Sequence, residues 1–357
     1  MIDRYYRLHD IPPKRSATKH DSHAMAATVQ QSHDPLTPTD LASPAPPLSQ
    51  EQYQQLLRLL AVGANPPLAN LAELSFGYVS YYSSNTSCSS NSTLSPLLLS
   101  FTRLRKLFFY KCFTQTEVSF PENLSKLGST LEELVFIVNS TLVGTLSGKI
   151  GNLTSLRRLV MIGTRVFGKI PDEIRGLFEL EEITITRNRF KGEVSLGIGK
   201  LKKVKVLDLS YNGFEGNLLE SIGEITKLLK LDLGSNRFNG KIPETLQELQ
   251  RLEFLDLSYN RFANFGILPF LGKMSSLKEV YLSGNPLGGQ IPEILEKLGG
   301  FNNNKLEGNV PVELGLLECV NEMNMDNNQL SGRLAFSAKI GGNLILGITL
   351  TFVLMLS

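Results

Sequence analysis

Residues 204–251 read VKVLDLSYNGFEGNLLESIGEITK from Val204 and LLKLDLGSNRFNGKIPETLQELQR from Leu228, and LEFLDLSYNRFANFGILPFLGKMSS follows from Leu252. The blocks share the opening L-x-x-L-x-L-x-x-N, with Val204 in the first Leu place, so the chain repeats with a period of 24. Working outward, the first apolar residue of each block falls at Leu71, Leu104, Leu131, Leu156, Leu180, Val204, Leu228, Leu252, Leu277 and Val320. From Leu131 to Leu277 every step is 24 or 25 residues. A fixed period in this range decides the architecture before any single motif does. Each block is one supersecondary unit that cannot bury its apolar edge alone, so neighbours must stack and supply a continuous core.

Apolar residues at the fourth and sixth positions turn one face of a short strand inward, and stacked strands then form a parallel sheet. The ninth position is polar yet internal: Asn139, Asn188, Asn212, Asn236, Asn260, Asn285 and Asn328 occupy it. Buried amides must be hydrogen-bonded, so a ladder of Asn side chains tied to the backbone of adjacent turns is expected. This is the leucine-rich repeat. The expected fold is an α/β solenoid, a curved superhelix with a parallel concave sheet, of about 10–11 repeats over 71–334. One unit is short. Leu277 projects the next origin to residue 301, but Asn304–Gly308 implies 296, so five residues are missing. The unit near 296–304 is therefore expected to lose its strand to Phe301, Asn302 and Asn303 and to break the concave sheet. A missing or mis-spliced segment is an equal reading.

The flanks differ in pattern. Residues 1–48 carry no apolar periodicity and end in SPAPPLS, which reads as a disordered or linker segment. No apolar run suited to a secretory signal lies between Met1 and Gln50, so no export signal is expected. Over 49–70, Ser49 with Gln52 makes a capping-box start and Tyr53, Leu56, Leu57 and Leu60 fall at helical spacing, which predicts a helix to about Val62 and a partial cap. The 335–357 segment is an apolar tail, NLILGITLTFVLMLS from Asn343. Its apolar core, Leu344–Leu356, is short for a span of about 20 residues. It reads as a GPI-type signal or short membrane tail, or as a final packed strand closing the solenoid.

Composition narrows the chemistry. With 36 Lys plus Arg against 34 Asp plus Glu, the net charge is +2, far from the basic excess of a nucleic-acid binder. The four histidines, His9, His20, His23 and His33, all precede the repeats. Neither a nucleophile with its base, nor a metal cluster, nor a phosphate loop can be read, so an enzyme, a cofactor and a metal are not expected. Cys88 and Cys112 flank the first full repeat, and Cys112 stands at a ninth position. Two readings stay open: a bridge worth about 3 kcal/mol, or a buried free thiol on the ladder. Cys319 is left over.

Binding falls to the outward residues of the strands, which line the concave face. The fifth-position column reads Phe108, Val135, Val160, Thr184, Asp208, Asp232, Asp256, Tyr281, apolar first and acidic later. Phe108 with Tyr110, Val135 with Ile137 and Val160 with Ile162 are expected to form a contiguous exposed patch for a peptide or partner receptor, unless the chain's own 81–99 segment covers it. Asp208, Asp232 and Asp256 are expected to stack about 4.8 Å apart as a repulsive row, although L-D-L-S-x-N is also the default strand of such repeats. Of the five Asn-x-Ser/Thr sequons, Asn85, Asn91, Asn123 and Asn152 are glycosylation candidates. The fifth, Asn139, is a ladder residue expected to stay unmodified.

After each ladder Asn the sequence runs x-L-x-G-x-I-P-x-x-L, as in FNGKIPETL from Phe238 and PLGGQIPEIL from Pro286, with Pro171 and Pro311 in the same column. This resembles the plant-specific leucine-rich-repeat subclass found in receptor kinases, kinase-less receptor-like proteins and wall inhibitors of polygalacturonase. LSFGYVS from Leu74, CSSNSTLSPLL from Cys88 and LRKLFFYKCF from Leu104 look like the kinase-less group that includes the piriformospora-insensitive protein. The resemblance implies a non-enzymatic binding protein of signalling or defence, at the plasma membrane or in the cell wall. Its partner would be a peptide ligand or a leucine-rich-repeat receptor kinase on the concave face, with membrane association through the C-terminal tail. The alternatives are a polygalacturonase-inhibitor-like wall protein or a truncated remnant. The family's signal peptide and its N-terminal cap with paired cysteines and a tryptophan have no counterpart in this chain.

Overall fold

Because the fourth and sixth positions are apolar in every unit, each repeat begins with a strand whose alternate residues bury. In Lys106–Tyr110 these are Leu107 and Phe109, and in Phe254–Asp256 the inward residue is Leu255. The computed structural model describes residues 72–77, 88, 92–94, 96–263, 269–290, 298–300, 302–309, 322–324, 327–331, 333–336, 345–347 and 353–356. The chain divides into two units, 1–44 and 45–357, and everything described lies in the second. The segments assigned above as 1–48 and 49–70, with the expected helix, lie outside the described residues.

The strands pair in parallel, in chain order, into one 12-stranded sheet running from Glu73–Phe76 to Ile345–Gly347. A second parallel sheet, Val118–Ser119 through Arg261–Phe262, runs beside it with 7 strands. Between the second strand of one unit and the first of the next, the convex side is spanned by single 3-10 turns such as Asp172–Gly176 and Glu244–Glu248. A 24-residue period leaves room for little more. Successive turns stack closely enough that a Cβ on Gly176 would stand 2.4 Å from the Gly151 carbonyl oxygen, so glycine is required there.

Two aromatic spines fill the interior. Phe76, Phe109 and Phe136 stack along the concave strands, with ring centroids 4.9 and 5.2 Å apart. Phe190, Phe214, Phe238 and Phe262 stack instead on the second sheet at 6.0 to 6.3 Å, all fully buried. The Asn ladder is present as expected. Asn139 accepts from the Cys112 and Phe113 backbone N–H groups and donates to the Phe109 and Ile137 carbonyls. Asn236 and Asn260 do the same work further along, accepting from Phe214 and Phe238. The residue before the ninth position takes a left-handed conformation: Lys111, Val138, Arg187, Tyr211, Ser235, Tyr259, Asn303 and Asn327 have φ between 52 and 57°, and Gly163 and Gly284 stand at 64 and 70°. That backbone turns the chain from one sheet toward the next.

One expectation is corrected. The short unit keeps its strand: Leu298–Gly300 pairs with both Glu279–Tyr281 and Glu322–Asn324, so the concave sheet continues, with a register shift at Val280/Tyr281. Nine positions separate Gly289 from Leu298, against 14 between Gly240 and Phe254 in an intact unit, so the missing five come from the convex side. Strands must keep their length to pair, whereas convex segments need only close the loop. Phe301 lies outside the described residues, and Asn304 rejoins the ladder by accepting from Leu287. Two described segments of the apolar tail pair as strands. Ile345–Gly347 extends the concave sheet beside Glu322–Asn324, and Val353–Leu356 pairs with Arg333–Phe336. Among the described residues no helix is long and apolar enough to cross a membrane.

Candidate functional site

The concave sheet carries its side chains in columns, since equivalent positions of successive strands stand side by side. The third-position column alternates in sign, and neighbours pair. Lys106 Nζ lies 3.1 Å from Glu73 and 3.5 Å from Glu133, and Arg158 bonds Glu133 at 2.9 Å and Glu182 at 2.8 Å. One position earlier a second row does likewise, with Arg105 on Glu132 at 2.8 Å, Arg157 and Lys205 both on Glu181, and Lys278 on Glu253 at 2.7 Å. Sequence reasoning missed these ladders, although alternating signs at a 24-residue interval were there to be seen. Each partly exposed pair contributes little alone. The pairs from Glu73 to Lys205 leave the N-terminal half of the face self-neutralised, and Lys278 with Glu253 continues the pattern in the C-terminal half.

The apolar patch expected there is broken. Val135 and Val160 are buried to 2% and 0% exposure, as is Thr184 at 3%, because strands this close leave a short side chain walled by its neighbours on both sides. Phe108, Tyr110, Ile137 and Ile162 remain half-exposed. As for the segment offered as a cover, Leu98 is buried in the core and Leu94 and Leu99 pack against it, while residues 81–87 lie outside the described residues.

The acidic column does structural work. Asp208, Asp232 and Asp256 are all buried, and each Oδ1 accepts the backbone N–H two residues on, from Ser210 at 3.1 Å, Gly234 at 3.2 Å and Ser258 at 2.9 Å. Such turns compete with strand continuation and end it. The row is also not simply repulsive, because Lys230 rises between two of its members. Its Nζ lies 2.7 Å from Asp208 Oδ2, 3.4 Å from Asp232 Oδ2 and 5.3 Å from the Phe254 ring centroid. Burial opposes the Lys230 charge, but the two carboxylates outweigh it and its pKa rises. Burial, reinforced by the Asp208 charge, pushes Asp232 up to about 7 despite the lysine. Beside this cluster Phe254 and Tyr281 form a half-exposed aromatic pair, centroids 5.6 Å apart, and Tyr281 donates to Glu279 at 3.0 Å.

Of the other candidates, Cys88 and Cys112 are joined in a disulfide. Asn123 and Asn152 are exposed on convex turns, Asn139 is fully buried, and Asn85 and Asn91 lie outside the described residues.

Comparison with known proteins bears on this face. The leucine rich repeat family model matches residues 202–262, and a second leucine rich repeat model matches 251–274 and 276–298. The Piriformospora indica-insensitive protein 2 of Arabidopsis thaliana is 38% identical over 93 residues, 26% of this chain and 22% of that protein. Among solved structures, the plant peptide hormone receptor RGFR1 in complex with RGF2 superposes with a TM-score of 0.64 at 25% identity, over 73% of this chain and 46% of that one. The chain folds as a leucine-rich-repeat solenoid similar to the ectodomains of plant receptors. The ectodomain of the Arabidopsis receptor kinase HAESA, bound to an extended IDA peptide hormone, gives a TM-score of 0.60 at 27% identity, over 68% of the leucine-rich-repeat protein and 41% of the receptor chain. The protein thus spans less than half of these receptor chains and about a fifth of the curated relative.

Proposed function

We propose that the solenoid is a non-enzymatic receptor-like binding protein of signalling or defence, which takes a peptide or a partner leucine-rich-repeat receptor kinase on the C-terminal half of its concave face. The observation that carries this is the Phe254–Tyr281 pair, half-exposed on the sheet and flanked by Lys230, Asp232 and Asp256. Aromatic rings beside a charged cluster offer both apolar area and orientation, the composition of binding hot spots. The likeness to peptide-hormone receptors supports the same reading.

The test is calorimetric titration of the full chain with synthetic peptides and with purified receptor ectodomains. The Phe254→Ala/Tyr281→Ala variant is expected to lose at least about tenfold in affinity, and Phe108→Ala/Ile137→Ala little. The reverse order would move the site to the N-terminal half. Action at the plasma membrane or in the wall requires passage through the secretory pathway. A glycopeptide map of protein made in plant cells is expected to show glycans on Asn123 and Asn152 and none on buried Asn139.

A further inference from the structure

The second sheet presents an unassigned charged surface. Its strands Arg165–Gly168, Arg189–Gly192, Gly213–Asn217, Arg237–Gly240 and Arg261–Phe262 bury Val166, Phe190, Phe214, Phe238 and Phe262, which leaves the alternate residues facing outward. The outward set holds five cations, Arg165, Arg189, Lys191, Arg237 and Arg261, against one carboxylate, Glu215. On a chain whose net charge is +2, that is a strong local excess.

Its pairing sets it apart. On the concave and convex sides basic residues repeatedly meet a carboxylate, as Arg105, Arg157, Arg158, Lys202, Lys203, Lys230 and Lys278 do. Among the described residues none of the five cations on the second sheet does so. Arg165 Nε is in addition buried without a hydrogen-bond partner, an arrangement that normally demands explanation. Apolar surface accompanies the charge. Phe167 is 45% exposed and stands in register with Arg189, while Tyr211 and Tyr259, 41% and 57% exposed, border the strands. The stacked Phe spine beneath holds these outward residues on a rigid support.

We propose that this face docks an acidic segment of a partner polypeptide, whose carboxylates meet Arg189, Arg237 and Arg261 and whose apolar side chain covers Phe167. Unpaired guanidinium groups are fitted to carboxylates. The exposed Phe167 gives an aliphatic side chain of the polypeptide a surface to cover. The site lies on a different sheet from the concave aromatic pair and does not depend on it.

The test is fluorescence anisotropy of the full chain with a short labelled peptide of alternating Glu and Leu, against its Lys and Leu counterpart and against polygalacturonate. The Glu peptide is expected to bind, more weakly as salt screens the pairs. Arg189→Glu/Arg261→Glu is expected to reduce the affinity at least about tenfold, and Lys227→Glu, an exposed control elsewhere, to leave it unchanged. The milder Arg189→Gln/Arg261→Gln should weaken binding while keeping the wild-type melting temperature. Equal binding of the Lys peptide, an unaffected double variant, an equal loss in Lys227→Glu, or binding of polygalacturonate without the Glu peptide would each overturn the proposal.

Discussion

The N-terminal and C-terminal halves of the concave sheet use one repeat in two ways. From Lys106–Tyr110 to Glu182–Thr186 the strands are 5 residues long, whereas from Val206–Asp208 to Glu279–Tyr281 they are 3. In the first half the seventh position is Tyr110, Ile137, Ile162 or Thr186, residues that suit a strand. In the second it is Ser210, Gly234 or Ser258, whose N–H groups are taken by the Asp side chain two residues before. The aromatic spine moves as well, from the concave strands at Phe76, Phe109 and Phe136 to the second sheet at Phe190 through Phe262. Large core rings thus do not keep one address along the coil. The half that stores them on the second sheet carries a short, turn-ended concave strand with a buried charged cluster and an aromatic pair.

The sharpest way to probe this contrast is to remove one ring from each spine. Phe136→Ala and Phe238→Ala are each expected to cost about 3–5 kcal/mol and, being far apart, to add within about 0.5 kcal/mol in urea titrations. Strong non-additivity would mean that the halves do not have separate cores. Next in size, Lys230→Ala strands two buried carboxylates and should cost about 3 kcal/mol, while Arg158→Ala, in the half-exposed ladder, should cost about 1 kcal/mol. Equal losses would erase the electrostatic distinction between the halves.

A smaller effect lies in the pH dependence. Asp232 in the folded protein sits at about 7, against about 3.9 for an unfolded Asp. The folded state therefore holds that proton more tightly. The stability this contributes is full below about pH 4 and is lost as pH rises through about 7. Asp232→Asn is expected to flatten that decline in melting temperature between these limits, and an unchanged slope would place the titration elsewhere. The smallest change concerns Val138, a β-branched residue at φ 55° where the later units use Asn303 and Asn327. In protein made in bacteria, Val138→Asn should stabilise by about 1 kcal/mol, whereas Asn327→Val should do the opposite.

Much of this was legible in the letters. The period placed the strands, the apolar alternation assigned their inward faces, and the ninth-position Asn marked the ladder that Asn139, Asn236 and Asn260 form. The site was less legible. Val135 and Val160 looked exposed because alternation says which face a side chain takes, not how far its neighbours wall it in. Lys230 went unnoticed because it lies outside the fifth-position column, and only the stacking of strands sets its ammonium between Asp208 and Asp232. The short unit misled for a related reason, since counting residues shows a deficit without showing which side of the coil absorbs it.

By itself, then, the sequence determined the repeat, the parallel order of the strands and the buried amide ladder, because these follow from local periodicity and from the need to satisfy internal polar groups. The tertiary structure alone decided which charges cancel, which outward residues remain accessible and how the shortened unit and apolar tail join the sheets. Those properties depend on distances between residues about 24 apart in the chain, where neighbouring coils, rather than neighbouring letters, set the environment.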